Sequence, residues 1–86
     1  MIDELTLWSG ACRYYLGRRT YAVANFCDLL KRKWPKLEGH TQRIIQRDVE
    51  EEFDLDDKAR AAGGTYKPLG DDCDRAEWEH VRRLWQ

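Results

Sequence analysis

Apolar positions recur at helical spacing in four stretches of the chain. Leu5, Trp8, Cys12 and Tyr15 fall at i, i+3, i+7 and i+10, with Leu7, Ala11 and Tyr14 widening the stripe. Such a period marks one buried face of an amphipathic helix. It predicts a helix over 3–16, closed by Gly17, since glycine takes the positive φ of a C-terminal cap without steric cost. Val23, Phe26, Cys27, Leu30 and Trp34 repeat the pattern after a capping Thr20. Lys31, Arg32 and Lys33 suit the negative end of that helix dipole, and Pro35 ends the helix by disfavouring the α region at Trp34.

The third stretch is the longest. Thr41 is the expected cap, Ile45, Val49 and Phe53 form the inward face, and Ala59, Ala61 and Ala62 prolong the helix until Gly63 and Gly64. Arg47 with Glu51, Asp54 with Lys58 and Asp56 with Arg60 are opposite charges at i, i+4, each worth ~0.2–0.5 kcal/mol on an exposed face. Asp54, Asp56 and Asp57 are poor helix-interior residues, so the pattern need not be one straight rod. A loop over 63–72 follows, with Tyr66 and Leu69 as its anchors to the core. Asp74 and Glu77 then read as an acidic capping box before a last helix whose apolar face is Trp78, Val81, Leu84 and Trp85. No alternating strand pattern and no internal repeat interrupts this order. The expected fold is all-α, a compact single-domain bundle of about four helices over 1–86. Its core should include Trp8, Val23, Phe26, Leu30, Ile45, Val49, Phe53, Trp78 and Val81.

Composition supports that reading. Eighty-six residues make one small domain, and ten aromatic residues, four of them Trp, give it bulk to bury. Each aromatic can remove on the order of 150–250 Å² from water. No apolar run is long enough to span a bilayer, and no secretory leader pattern opens the chain, so a cytoplasmic setting without a membrane partner is expected. Cys12, Cys27 and Cys73 are odd in number and widely spaced. They read as small buried apolar residues in a reducing compartment rather than as a disulfide framework.

Catalytic chemistry is thin. Gly63 and Gly64 lack the Lys-Ser/Thr pair of a phosphate loop. Ser9 stands in no nucleophile motif, and nothing local pairs a cysteine with His40 or His80. The cysteines and histidines are too scattered for a zinc site, and Asp54, Asp56 and Asp57 lack the glycine and distal glutamate of a calcium loop. The expectation is a non-enzymatic protein with no cofactor and no metal.

Charge placement carries more. Although the net charge is −1, the segment from Arg13 to Arg47 holds nine basic and two acidic residues, and the segment from Asp48 to Glu79 holds twelve acidic and four basic ones. Either the two blocks fold against each other or one of them steers a charged partner. Two binding surfaces follow. The first is acidic, Glu50, Glu51, Asp54 and Asp57, on the solvent side of the third helix when Ile45, Val49 and Phe53 face inward. It would imitate phosphates in the basic channel of a nucleic-acid-binding effector. The second is basic, Arg18, Arg19, Lys31 and Arg32, with Tyr14 and Tyr21 nearby. Direct nucleic-acid binding is the weaker use of it, because such domains usually carry a basic net charge.

The segments Trp8-Ser9-Gly10, Arg13 to Arg18, Thr20 to Val23, and Pro68 to Asp74 running on to Trp78-Glu79 resemble small accessory proteins encoded by tailed phages and prophages of enteric bacteria. The resemblance implies a bacterial host cytoplasm and action by binding and inhibiting a host protein, as anti-CRISPR and other anti-defence inhibitors do. It transfers no functional residue. A small nucleic-acid-binding or regulatory module, or a phage structural or assembly accessory, is the alternative. The oligomeric state is open, a dimer included.

Overall fold

The computed structural model describes residues 3–16 and 20–86, with the side chains of Thr20 and Tyr21 outside that description. Among the described residues there are four α-helices and no strand: α1 (Glu4–Tyr15), α2 (Thr20–Lys33), α3 (Gly39–Ala61) and α4 (Asp72–Arg82), with a 3-10 turn over Trp34–Lys36. None of these helices is long and apolar enough to cross a membrane. The all-α expectation is met. α2 packs mainly on α4 and α1 mainly on α3, and contacts of α3 with α4 and of α1 with α2 complete the bundle.

One hydrophobic cluster joins all four helices. Its members include Cys12 from α1, Val23, Phe26, Cys27 and Leu30 from α2, Ile45, Val49 and Phe53 from α3, and Trp78 and Val81 from α4. Trp34, Leu37 and Leu69 add to it from the connections. The expected core is therefore present except for Trp8, which is only partly buried and leans on the Phe26 ring at 6.1 Å. Cys12, one turn on, is the α1 residue that reaches the centre. Of the three cysteines, Cys12 and Cys27 are buried as expected, but Cys73 is exposed, because it lies in the first turn of α4 away from the inward face set by Asp74, Trp78 and Val81.

The helix ends correct several sequence expectations. Asp3 caps α1 by accepting the Thr6 amide at 2.7 Å. Gly17, the expected cap at its other end, lies outside the described residues. Thr20 is already helical rather than a residue preceding α2. Thr41 does not cap α3, which starts two residues earlier, at Gly39. The capping carboxylate comes instead from α1: Glu4 Oε2 accepts the Glu38 amide at 3.1 Å and the Thr41 hydroxyl at 2.9 Å. A carboxylate is favoured there by the positive end of the helix dipole. The capping box of α4 is Asp71 with Asp74, three residues before the expected Asp74–Glu77 pair. Leu84 and Trp85 consequently lie beyond the last helical residue, Arg82, where Trp85 meets Trp34 at 5.4 Å between ring centres.

α3 runs unbroken through Asp54, Asp56 and Asp57. Aspartate weakens helices by competing for backbone groups, but here the carboxylates are engaged elsewhere. Asp54 takes Lys58 Nζ at 3.0 Å, Asp57 takes Arg75 at 2.7 Å, and Asp56 points into the protein. The helix ends at Ala61 with Ala62 as its C-cap, and Gly63 follows with a φ of +74° that suits glycine. Leu69 anchors the following loop as expected, whereas Tyr66 is 73% exposed.

Candidate functional site

The 63–71 loop is tied down by one carboxylate. Asp56 is fully buried, and its Oδ1 accepts the Leu69 amide at 3.2 Å. Its Oδ2 accepts Arg60 Nε at 2.6 Å and also a guanidinium hydrogen bond from Arg75. Arg60 continues to the Gly70 carbonyl at 3.2 Å and to Asp72 at 2.9 Å. Burial alone would raise the Asp56 pKa, but the hydrogen bonds from Arg60, Arg75 and the Leu69 amide outweigh it and hold the carboxyl below its ordinary value. Gly70 is required beside this hub. Its φ is +81°, and a Cβ there would run into the Asp74 carboxylate.

With the loop fixed, a groove of about 520 Å³ opens between the end of α1, the middle of α3 and the 66–68 segment. Asp48, Glu51 and Glu52 line it from α3, Tyr66, Lys67 and Pro68 from the loop, and Arg13 and Leu16 from the α1 side. Asp48, Glu51 and Glu52 share one helix face because they stand at i, i+3 and i+4. Asp48 is 5% exposed. Its Oδ1 accepts Arg47 at 3.3 Å, and among the described residues its buried Oδ2 receives no hydrogen bond and has Arg13 Nε at 3.6 Å as its nearest cation. Glu52 has its pKa raised by burial and by the charges of Glu51, Asp48 and Asp56. The groove thus carries negative charge that its own cations only partly answer.

Of the four acidic residues singled out by the sequence, Glu51 lines this groove and Glu50, Asp54 and Asp57 do not. Glu51 is exposed, lines the groove and stands 4.0 Å from Arg47 Nε. Asp54 and Asp57 are exposed and held by Lys58 and Arg75. Glu50 departs from the expected solvent side. It is half-buried against α4, accepting Arg82 Nε at 2.9 Å and Trp85 Nε1 at 3.4 Å. Arg82 also covers the Phe53 ring at 4.5 Å, so this corner is part of the packing.

The basic candidates differ. Arg18 and Arg19 lie outside the described residues, as does the Tyr21 side chain. Lys31 pairs with Asp28 at 3.2 Å. Arg32 is exposed at the end of α2, with Lys33 beside it, Lys36 in the 3-10 turn and Arg43 in the second turn of α3. Among the described residues none of these four has a carboxylate partner. The Trp34–Trp85 contact packs the segment after α4 against the 3-10 turn, and Arg83 in that segment is exposed.

Sequence reasoning missed Asp48 and Glu52 as groove residues; it placed Lys33 beside Arg32 in the basic stretch but missed Lys36 and Arg43. The i, i+3, i+4 spacing of Asp48, Glu51 and Glu52 was a readable signal. The depth of Asp48 was not, since it depends on how α1 lies across α3. Comparison with protein-family models, with curated proteins and with solved structures returned no significant match.

Proposed function

We propose that this chain is a non-enzymatic binding protein that docks on an acidic surface of a partner protein through its basic corner. One observation carries the reading. The exposed acids Glu51, Asp54 and Asp57 are answered at home by Arg47, Lys58 and Arg75, while Arg32, Lys33, Lys36 and Arg43 face solvent with no carboxylate partner among the described residues. Unanswered charge of one sign steers encounter and sets partner choice more than it sets raw affinity. In the setting that the resemblance to phage accessory proteins implies, the partner is a bacterial host protein and the result of binding is its inhibition, as for an anti-CRISPR or other anti-defence inhibitor.

The test is capture from bacterial lysate with three proteins: the native chain, an R32E/K33E/R43E variant and an E51K/D54K/D57K variant, each checked for helical circular dichroism. A defined host protein should be retained by the native chain and by the acidic-ridge variant, and lost by the basic-corner variant. Its association rate should fall by about tenfold or more on the basic reversal and fall again with added salt. Retention by the basic-corner variant and loss by the acidic one would return the acidic ridge to first place. Capture of nucleic acid in place of protein would favour the nucleic-acid-binding reading, and capture of a virion component the assembly reading.

A further inference from the structure

The groove beside Asp48 is a different surface from the basic corner, and it has unspent binding capacity of the opposite sign. We infer that it receives a basic side chain, arginine or lysine, presented by an exposed segment of a partner protein. Two observations point the same way. Asp48 is more than nine-tenths buried and lines the groove, yet its Oδ2 accepts no hydrogen bond. Glu51 and Glu52 stand next to it on the same helix face and line the same space. Burial, and after it the charges of Glu51, Asp48 and Asp56, raises the pKa of Glu52, and an added cation relieves the repulsive part of that shift.

The shape favours a side chain over a bare ion. The three carboxylates are not grouped closely enough to hold a metal together. The groove volume of about 520 Å³ falls within the range of organic-ligand pockets. Its far wall offers the ring of Tyr66, well exposed, for a cation to stack on. Leu16 and Pro68 supply apolar surface for an aliphatic stem. A guanidinium brings five donors and an ammonium three, against an oxygen that has none.

Arg13 is the internal competitor. Its Nε stands 3.6 Å from Asp48 Oδ2, beyond a hydrogen bond, and its side chain is 68% exposed. A partner's cation displaces it at little cost to the fold, since loosely held exposed pairs contribute little. Removing Arg13 should therefore strengthen binding, an effect that a merely structural role for Arg13 does not produce.

The experiment uses the full chain and three small compounds: N-acetyl-arginine N-methylamide, the lysine analogue, and the neutral citrulline analogue. Binding is followed by amide and Tyr66 ring shifts in NMR titrations. The arginine or lysine compound should give saturable shifts at Glu51, Glu52, Tyr66 and Lys67, and the citrulline compound none; the stronger of the two basic compounds names the side chain. Glu52→Gln and Tyr66→Ala should each weaken binding by about two- to fivefold, and Arg13→Ala should strengthen it by a similar factor. Glu52 and Tyr66 are not core residues, so these variants keep the test readable if Asp48→Asn disturbs folding. Absence of saturation in both the native chain and the Arg13→Ala variant overturns the inference. So do equal shifts with the citrulline compound, or equal shifts at Asp54 on the open ridge. Because the basic corner is untouched, failure here leaves the proposed docking surface standing, and failure there leaves this one.

Discussion

Asp48 and Asp56 sit two turns apart on α3, and both are almost wholly removed from solvent. Their partners make them different groups. Asp56 is held by Arg60 and Arg75, whose side chains are only 28% and 20% exposed, and by a backbone amide. Asp48 is held by Arg47 and Arg13, which are 56% and 68% exposed, and one of its oxygens accepts nothing. A buried charge is tolerated when close hydrogen bonds replace the water it has lost. Asp56 meets that condition and ties the loop to two helices. Asp48 meets it by half: its Oδ2, buried at the edge of the groove, has only the loosely placed Arg13 for a partner among the described residues. Burial alone does not separate a structural carboxylate from a binding one; the firmness of its counterions does.

The comparison breaks most sharply at Asp56. Asp56→Ala takes the shared buried carboxylate from two partly buried guanidinium groups, leaving Arg60 with Asp72 and the Gly70 carbonyl and Arg75 with Asp57, and releases the Leu69 amide. Loss of one partner from such a buried cluster costs about 3–5 kcal/mol. Small domains hold only about 5–15 kcal/mol in total. Urea unfolding should show the loss as a large fall in midpoint, and amide exchange at Leu69 should accelerate in the folded protein. Retention of a native midpoint would mean that Leu69 packing, not the carboxylate, holds the loop.

Much of this contrast is invisible in the sequence, and the reason is specific. The apolar periods of α1 to α4 and the core residues from Val23 to Val81 are local patterns, and helical spacing exposes them directly. Asp56 and Arg60 were also legible as an i, i+4 pair, but as an exposed one. What buries Asp56 is Arg75 and Leu69, which lie 19 and 13 residues further along the chain. The Glu4 cap on α3 reaches across 34 and 37 residues in the same way. Charge blocks were readable as a division of the chain, but which block keeps free charge depended on pairing between helices, as Glu50 with Arg82 shows.

Acid titration comes next in size. The folded Asp56 pKa lies below its ordinary 3.8, so its stabilisation is complete above that value and is lost as pH falls through the folded pKa. Glu52 has the opposite sign. Its folded pKa lies above its ordinary 4.5, so the stability it contributes is present below 4.5 and is lost as pH rises through the folded value. Stability should therefore rise gently as acidification protonates Glu52, down to its ordinary 4.5, and fall below the ordinary 3.8 of Asp56 as that carboxylate is protonated. Denaturation midpoints across that range should lose the gentle rise in Glu52→Gln and have a softened acid fall in Asp56→Asn. An unchanged acid limb in Asp56→Asn would remove Asp56 from the account.

Asp48→Asn should cost far less than the Asp56 change, about 1 kcal/mol or less, because Arg13 and Arg47 regain water when released. The thiol of Cys12 reports the same event locally. Burial, with a contribution from the Asp48 charge, pushes its pKa up to about 12. A thiol reagent near neutral pH should label exposed Cys73 in the folded native chain and all three cysteines after unfolding. In Asp48→Asn, Cys12 should stay protected, since its burial is the larger cause. Rapid Cys12 labelling in that variant would show that Asp48 seals the α1–α3 contact, contrary to the small effect expected.

The smallest effect sharpens the point about counterions. Asp54 and Lys58 stand 3.0 Å apart, closer than either arginine stands to Asp48, yet their side chains are 66% and 73% exposed. Distance alone would rank this pair above the pairs at Asp48. Exposure reverses the ranking, because water answers both charges when the pair is broken and salt screens what remains. A double-mutant cycle of Asp54→Ala and Lys58→Ala should give a coupling of about 0.3–0.5 kcal/mol, the usual worth of an i, i+4 helix pair, and it should shrink further in high salt. The corresponding cycle of Asp56→Ala and Arg60→Ala should give a larger coupling that salt changes less, because Asp56 is fully buried and Arg60 largely so. Equal couplings in the two cycles would mean that the short distance, and not the burial, sets the strength of ion pairs along α3, and the contrast drawn between Asp48 and Asp56 would lose its physical basis.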